Sequence, residues 1–272
     1  MEQSIYTSIL APNPSLMSGP GTNTLILGRD DEDGALVIDP ADAEAGHLQA
    51  IIQEGQRRGG LCKILITHGH PDHLGGAVEL RDRLQIPIYA FSRQGVPVLD
   101  EEVPDGTTFR IGGDTLIALH TPGHRFDHLC FLLENARLLF AGDHISGITT
   151  NVIAPPDGDM LDYLNSLKRL QTFTIAEIIP AHGPNVADPQ ARLAEYIAHR
   201  LLREQQILQV MELLGPGATI QQMVAQIYQD VDPALHPVAA YSVEAHLLKL
   251  AREQRVIHQG ETWALVGDVY QP

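Results

Sequence analysis

The run Thr67-His68-Gly69-His70-Pro71-Asp72-His73 decides the reading of this chain. Three imidazoles and one carboxylate fall within the six positions 68–73, directly after an apolar, β-branched stretch that ends at Thr67. The stretch reads as a buried strand, so the cluster belongs on the loop at its C-terminal end, the edge where open α/β sheets collect their ligands. Neutral imidazole and carboxylate are ligands for zinc, manganese or iron. Four such groups on one short loop cannot all face a single ion, which points to two neighbouring metals.

Working outward, apolar runs recur at 22–27, 35–39, 62–67, 88–90, 115–120, 129–133, 138–141 and 175–180, with helical spacing over 45–59 and 74–84. The turn signals Asp33-Gly34, Gly112-Gly113 and Pro122-Gly123 lie between these runs. This order predicts a layered α/β domain over residues 1–187. Beyond Pro189 the pattern changes. Leu193, Ile197, Leu201 and Leu208 mark an amphipathic helix, with 188–214 as a linking segment. Gly215-Pro216-Gly217 breaks it. Two more helices (219–228 and 242–254) and the two runs 255–257 and 263–266 around Gly260-Glu261 then suggest a winged-helix-like module over 215–272.

Three later segments extend the first cluster, each at the end of a strand-like run: Thr121-Pro122-Gly123-His124, Phe140-Ala141-Gly142-Asp143 and Pro180-Ala181-His182-Gly183. Taken in order, these motifs resemble the metallo-β-lactamase fold superfamily, over about two-thirds of the chain. The resemblance implies an αββα four-layer sandwich holding two divalent metal ions, zinc first, with manganese or iron as alternatives. It assigns His68, His70 and His124 to one metal and Asp72, His73 and His182 to the other, with Asp143 and a hydroxide between them. Every ligand position of the family pattern is present. Two metals at that spacing activate their own water and polarise the substrate oxygen, so no serine nucleophile is required.

Around this set, Asp72 is a candidate for proton transfer as well as a ligand. His128 is a candidate catalytic residue, as a donor behind the ligands or a substrate contact, and His144 shares that description. Asp39 matches a family carboxylate that supports the ligand loop. The remaining histidines read as structural or surface residues. The long segment 146–160, with Tyr163 nearby, reads as a wall of the substrate cleft.

The C-terminal half, with Tyr196-Ile197-Ala198-His199-Arg200 and the winged-helix-like end, is similar to the β-lactamase-like protein 2 group, as are Gly21-Thr22-Asn23-Thr24 and Asp127-His128. That resemblance implies a dimetal hydrolase acting on a phosphodiester, single-stranded RNA included. The alternatives are a thioesterase of the hydroxyacylglutathione-hydrolase type, another small-ester or lactone hydrolase, and, in a different class, a winged-helix nucleic-acid-binding regulator. Composition bears on this choice. The 272 residues carry a net charge of −16, which repels polyanions at long range. The best basic candidates, Lys249, Arg252 and Arg255, are interrupted by Glu253 and read as a solvated helix face.

No apolar run approaches the ~20 residues of a membrane span, so no membrane partner is expected. Met1-Glu2-Gln3-Ser4 lacks the basic start and apolar core of a secretory signal. Cys62 and Cys130 sit in apolar runs and read as buried, reduced side chains. These features give a cytoplasmic expectation, with a homodimer through the C-terminal module as an open alternative.

Overall fold

A computed structural model describes residues 4–29 and 33–269. Residues 1–3 of the Met1-Glu2-Gln3-Ser4 start, expected to lack a secretory signal, lie outside the described residues. Grouped by its contacts, the chain forms two units. The first comprises Met1–Pro122, Phe126–Asn151 and Phe173–Gln190; the second comprises Gly123–Arg125, Val152–Thr172 and Ala191–Pro272.

The first unit is built from two sheets. One runs in the order β1 (Tyr6–Leu10), β2 (Asn23–Leu27), β3 (Ala35–Ile38), β4 (Leu61–Leu65), β5 (Ile88–Ala90) and β6 (Glu101–Glu102). The other runs β11 (Glu177–Pro180), β10 (Leu138–Gly142), β9 (Leu129–Leu133), β8 (Asp114–His120) and β7 (Thr108–Ile111). Strands β3 to β6 are parallel, as are β10 and β11; the other neighbours are antiparallel.

Alternation along each strand sorts side chains between the two faces. Leu25, Leu27, Leu36, Ile38 and Leu65 from the first sheet meet Leu116, Leu129, Phe131, Leu133, Phe140 and Ile179 from the second. On the other face of the first sheet, Ile26, Val37, Ile64 and Ile88 bury against Leu48 and Ile51 of α1 (Ala45–Gln56) and Leu80 of α3 (Ala77–Leu84). A single turn of helix, α2 (Pro71–Leu74), precedes α3. Strands buried on both faces read as continuous apolar runs, which is why β3, β9 and β10 stand out in the sequence.

In the second unit, α4 (Met160–Leu170) begins at Asp159, whose carboxylate accepts the N–H groups of Leu161 and Asp162. Helix α5 (Pro189–Leu214) leads to α6 (Ile220–Ile227), α7 (His236–Arg252) and the hairpin β12 (Val256–Gln259)–β13 (Thr262–Leu265). Thr219 and Gln222 form a reciprocal cap at the start of α6. Met211, Met223, Val243, Leu247, Leu250, Val256 and Trp263 pack into one core. Residues 152–172 join this unit, and the Arg252–Asp159 ion pair at 2.7 Å ties α4's cap to α7.

Two expectations need correction. Cys62 is half-buried rather than buried, because it sits near the start of β4, with Sγ 3.2 Å from the Ala35 carbonyl oxygen. Lys249 is not on a solvated face. Its ammonium is buried between Glu204 at 2.6 Å and Glu253 at 2.9 Å, and Arg255 also bonds Glu204 at 2.8 Å. Lys249 is engaged inside the module, while Arg252 and Arg255 are exposed and ion-paired at its surface.

Candidate metal centre

The strand ends place the side chains. Strand β4 delivers Thr67 and the histidine loop, β10 ends at Gly142 and delivers Asp143, and β11 ends at Pro180 and delivers His182. Gly142 has φ +50°, and a Cβ there would lie 2.7 Å from His128 Nε2, so the close turn into Asp143 depends on glycine. Gly69 is equally constrained: its Cβ would meet the Gly95 carbonyl oxygen at 2.1 Å.

Ligand atoms of Asp72, His73 and His182 lie within 4.8 Å of one another. Those of His68, His70 and Asp143 meet the same limit, with His68 Nε2 2.8 Å from His70 Nδ1. Asp143 Oδ1 stands 3.1 Å from His182 Nε2 and 3.5 Å from His73 Nε2, so one carboxylate reaches both histidines of the other group. The two carboxylate oxygens of Asp72 stand 3.9 Å from His73 Nε2 and 3.7 Å from His182 Nε2. His124 follows β8 on a segment of the second unit, where its Nδ1 lies 2.9 Å from the Val152 carbonyl oxygen. That bond fixes the tautomer with the proton on Nδ1 and the lone pair on Nε2.

The donor set fits a cation. His73 is fully buried, and its Nε2 makes no hydrogen bond among the described residues. The carboxylate oxygens around it, at 3.5 and 3.9 Å, are too far for a hydrogen bond and well placed to share an ion. Burial opposes charge on His73, yet Asp143 and Asp39 outweigh it and hold the imidazole well above its ordinary pKa. His182 is raised against burial by its bond to Asp143. Asp143 itself, despite burial, is held well below the usual carboxylate range by His73 and His182. The pocket thus demands positive charge, which protons or a metal can supply.

Behind the ligands lies the support that metal-binding histidines ordinarily have. Asp39 Oδ2 is 2.7 Å from His73 Nδ1, and its carboxylate also accepts the Thr67 N–H at 2.8 Å and the Thr67 hydroxyl at 2.7 Å. Asp39 thus occupies the supporting position expected for it. His128 is also buried: Nε2 accepts the Asp143 N–H at 3.1 Å, and Nδ1 lies 3.0 Å from Thr121 Oγ1. Of the two roles considered for His128, this geometry is that of a donor and acceptor behind the ligands, positioning Asp143. His144, its companion candidate, is fully buried.

Some supports carry no role in the sequence reading. Thr67 Oγ1 lies 3.0 Å from His68 Nδ1 and 3.4 Å from His73 Nδ1, serving two ligands at once. Asp127 Oδ2 accepts the Gly69 N–H at 2.9 Å and so holds the histidine loop. Asn23 donates to the Pro180 and Gly183 carbonyls on either side of His182, both at 3.0 Å. The Asn151 amide donates to the Asp143 carbonyl. The available signal was position: Thr67 and Asp127 each sit beside a motif histidine.

Residues 18–182 match the Metallo-beta-lactamase superfamily model, and residues 219–263 match the Beta-lactamase associated winged helix domain. A beta-lactamase-like protein 2 homolog from Drosophila melanogaster is 33% identical, over 91% of this chain and 88% of that protein. An atrochrysone carboxyl ACP thioesterase from Aspergillus chevalieri is 32% identical, over 96% of this chain and 86% of that protein. Among solved structures, a metallo-beta-lactamase family protein from Thermus thermophilus has the same fold. Its TM-score is 0.79 at 21% identity, over 97% of this chain and 99% of that one.

Proposed function

Because the chain belongs to the metallo-beta-lactamase superfamily, we propose that its metal-dependent hydrolase site cleaves an acyl thioester. The observation that carries the reading is the pair of neighbouring ligand groups, with buried His73 Nε2 turned toward two carboxylates. His68, His70 and His124 would hold one divalent ion, Asp72, His73 and His182 the other, and Asp143 would serve both. Zinc, manganese and iron all suit these donors. Bound there, such ions supply a Lewis acid and a water that ionises near neutral pH.

The chain's own residues do the rest. Asp39 and Thr67 fix the His73 ring, and His128 fixes the backbone of Asp143. Asp72, with its side chain 35% exposed, is the carboxylate that can hold a proton and pass it on. In the reaction a water oxygen bonds to the acyl carbon, the C–S bond breaks and the thiolate leaving group takes up a proton.

A thioester is favoured over RNA on charge. The protein carries −16, and Lys249 and Arg255 are committed to Glu204 and Arg252 to Asp159. A polyanion gains little from such a surface. The name of the thioesterase relative points the same way, and single-stranded RNA, which the sequence resemblance implies, is the competing substrate. No helix of the described residues is long and apolar enough to cross a membrane.

The test compares wild type and Asp143→Ala, each supplied separately with zinc and manganese, on butyryl-N-acetylcysteamine and on a single-stranded RNA oligonucleotide. Metal-dependent thioester hydrolysis, reduced to background in the variant, is the expected result. RNA cleavage without thioester turnover would transfer the function to phosphodiesters.

A further inference from the structure

Of the seven residues in the proposed ligand set, only His124 belongs to the second unit. Residues 123–125 are stitched there to the segment that leads into α4. His124 Nδ1 lies 2.9 Å from the Val152 carbonyl oxygen, and the Arg125 guanidinium pairs with Asp157 at 2.9 Å. The Gly123 carbonyl accepts the Asp159 N–H at 2.8 Å. Gly123 has φ +139°, and a Cβ there would lie 2.2 Å from Tyr163 Cα. The backbone beside His124 thus rests directly on the first turn of α4, an approach that only glycine permits.

Asp159 joins this support to the winged-helix module. Its N–H serves Gly123, one carboxylate oxygen caps α4 through the N–H groups of Leu161 and Asp162, and the other reaches Arg252 of α7 at 2.7 Å. A second tie runs from α5, whose Arg200 guanidinium stands 5.3 Å from the centroid of the Tyr163 ring. The supports described for the other ligands, Asp39, Thr67, Asp127, His128 and Asn23, lie in the first unit instead. The two ions of the proposed site would therefore rest on different foundations, one wholly in the first unit and the other shared with the second.

We propose that Asp159 is a positioning residue for His124, through which α7 of the winged-helix module tunes the affinity of the His68–His70–His124 ion and leaves that of the Asp72–His73–His182 ion unchanged. This rests on the two-metal part of the proposed function and is independent of which ester is cleaved. Without its cap, the first turn of α4 must be rebuilt when His124 engages the ion, so affinity falls by what the cap contributes, about fivefold. The Arg252 pair is exposed, so its share is smaller and is screened by salt.

The experiment titrates the metal-free full chain with zinc against a competing chelator and counts the ions bound per chain. His124→Ala identifies the binding step that belongs to its ion. In Asp159→Ala that step should weaken about fivefold and the other by less than about twofold. Arg252→Gln should weaken the same step about twofold, an effect that fades at high salt. Asp159→Asn keeps the cap without the charge; it should behave like Arg252→Gln and guards against misfolding of the alanine variant. In the metal-free chain, amide exchange of residues 121–128, followed by mass spectrometry, should quicken in Asp159→Ala. Equal weakening of both steps, or of neither, overturns the proposal and leaves the two-metal site standing. A wild type that binds no zinc, with exchange that still quickens in the variant, sinks the metal reading and keeps Asp159 as the support of His124. Unchanged exchange overturns the proposal whatever the metal does.

Discussion

His73 in the first unit and His246 in the second are both wholly buried, and their environments act in opposite directions. Asp39 at 2.7 Å and Asp143 at 3.5 Å surround His73 with negative charge and push its pKa well up against the effect of burial. Around His246, burial is reinforced by Arg200, Lys249, Arg203 and His199, and its pKa falls to about 3. Neither ring nitrogen of His246 has a hydrogen-bond partner among the described residues. Burial therefore does not mark a metal ligand; a carboxylate neighbourhood that wants a cation does. One imidazole is arranged to receive positive charge, the other to stay neutral in an apolar helix face.

The strongest way to sharpen this contrast is at Asp72. If it moves a proton as well as holding metal, Asp72→Asn should cut turnover on the order of 10²-fold or more while metal content falls much less. Turnover and metal content measured on the same preparations decide it. Parallel losses would reduce Asp72 to a ligand. Next comes Asp39, which touches His73 but is not among the ligands. Asp39→Asn keeps the shape and removes the charge, and metal affinity, read by chelator competition, should weaken about 10- to 100-fold. Unchanged affinity would mean that Asp72 and Asp143 suffice to attract the cation.

Much of the site was legible because rigid, apolar strands lead into its ligands. Residue type and order along 67–73, 121–124, 140–143 and 180–183 are enough to see four strand ends with ligands to offer. The strands β1 and β7 are harder to see: β1 is only partly buried, and β7 alternates exposed and buried residues over four positions. Helix α4 left a readable signal in Asp159 as a cap and in buried Met160, Tyr163, Leu164, Leu167 and Leu170 at helical spacing, hidden by the proline- and glycine-rich stretch before it. The fate of Lys249 was not legible. Its partner Glu204 is 45 positions away, and only folding reveals that this cation is internal. His128 illustrates the same limit from the other side: sequence placed it by the centre, and only geometry gave its ring nitrogens to Thr121 and the Asp143 backbone.

The smallest expected effect tests the other half of the contrast. His246 has a folded pKa of about 3 against an ordinary value of 6.5, so the unfolded chain binds its proton first as pH falls. The stability held by neutral His246 is complete above pH 6.5 and drains away as pH drops toward 3. Between pH 7 and 5.5 the loss is about 1 kcal/mol. Trp263 is the single tryptophan and shares a core with Val243 and Leu247 of α7, so its fluorescence in urea reports unfolding of the unit that contains His246. Replacing the imidazole in His246→Leu should remove that part of the pH dependence, bringing the midpoints at pH 7 and 5.5 closer than in wild type. If both proteins shift equally, the wild-type imidazole is not held neutral by its cationic, apolar setting. The opposition between the two buried histidines would then fail at its second member while the carboxylate argument for His73 remained intact.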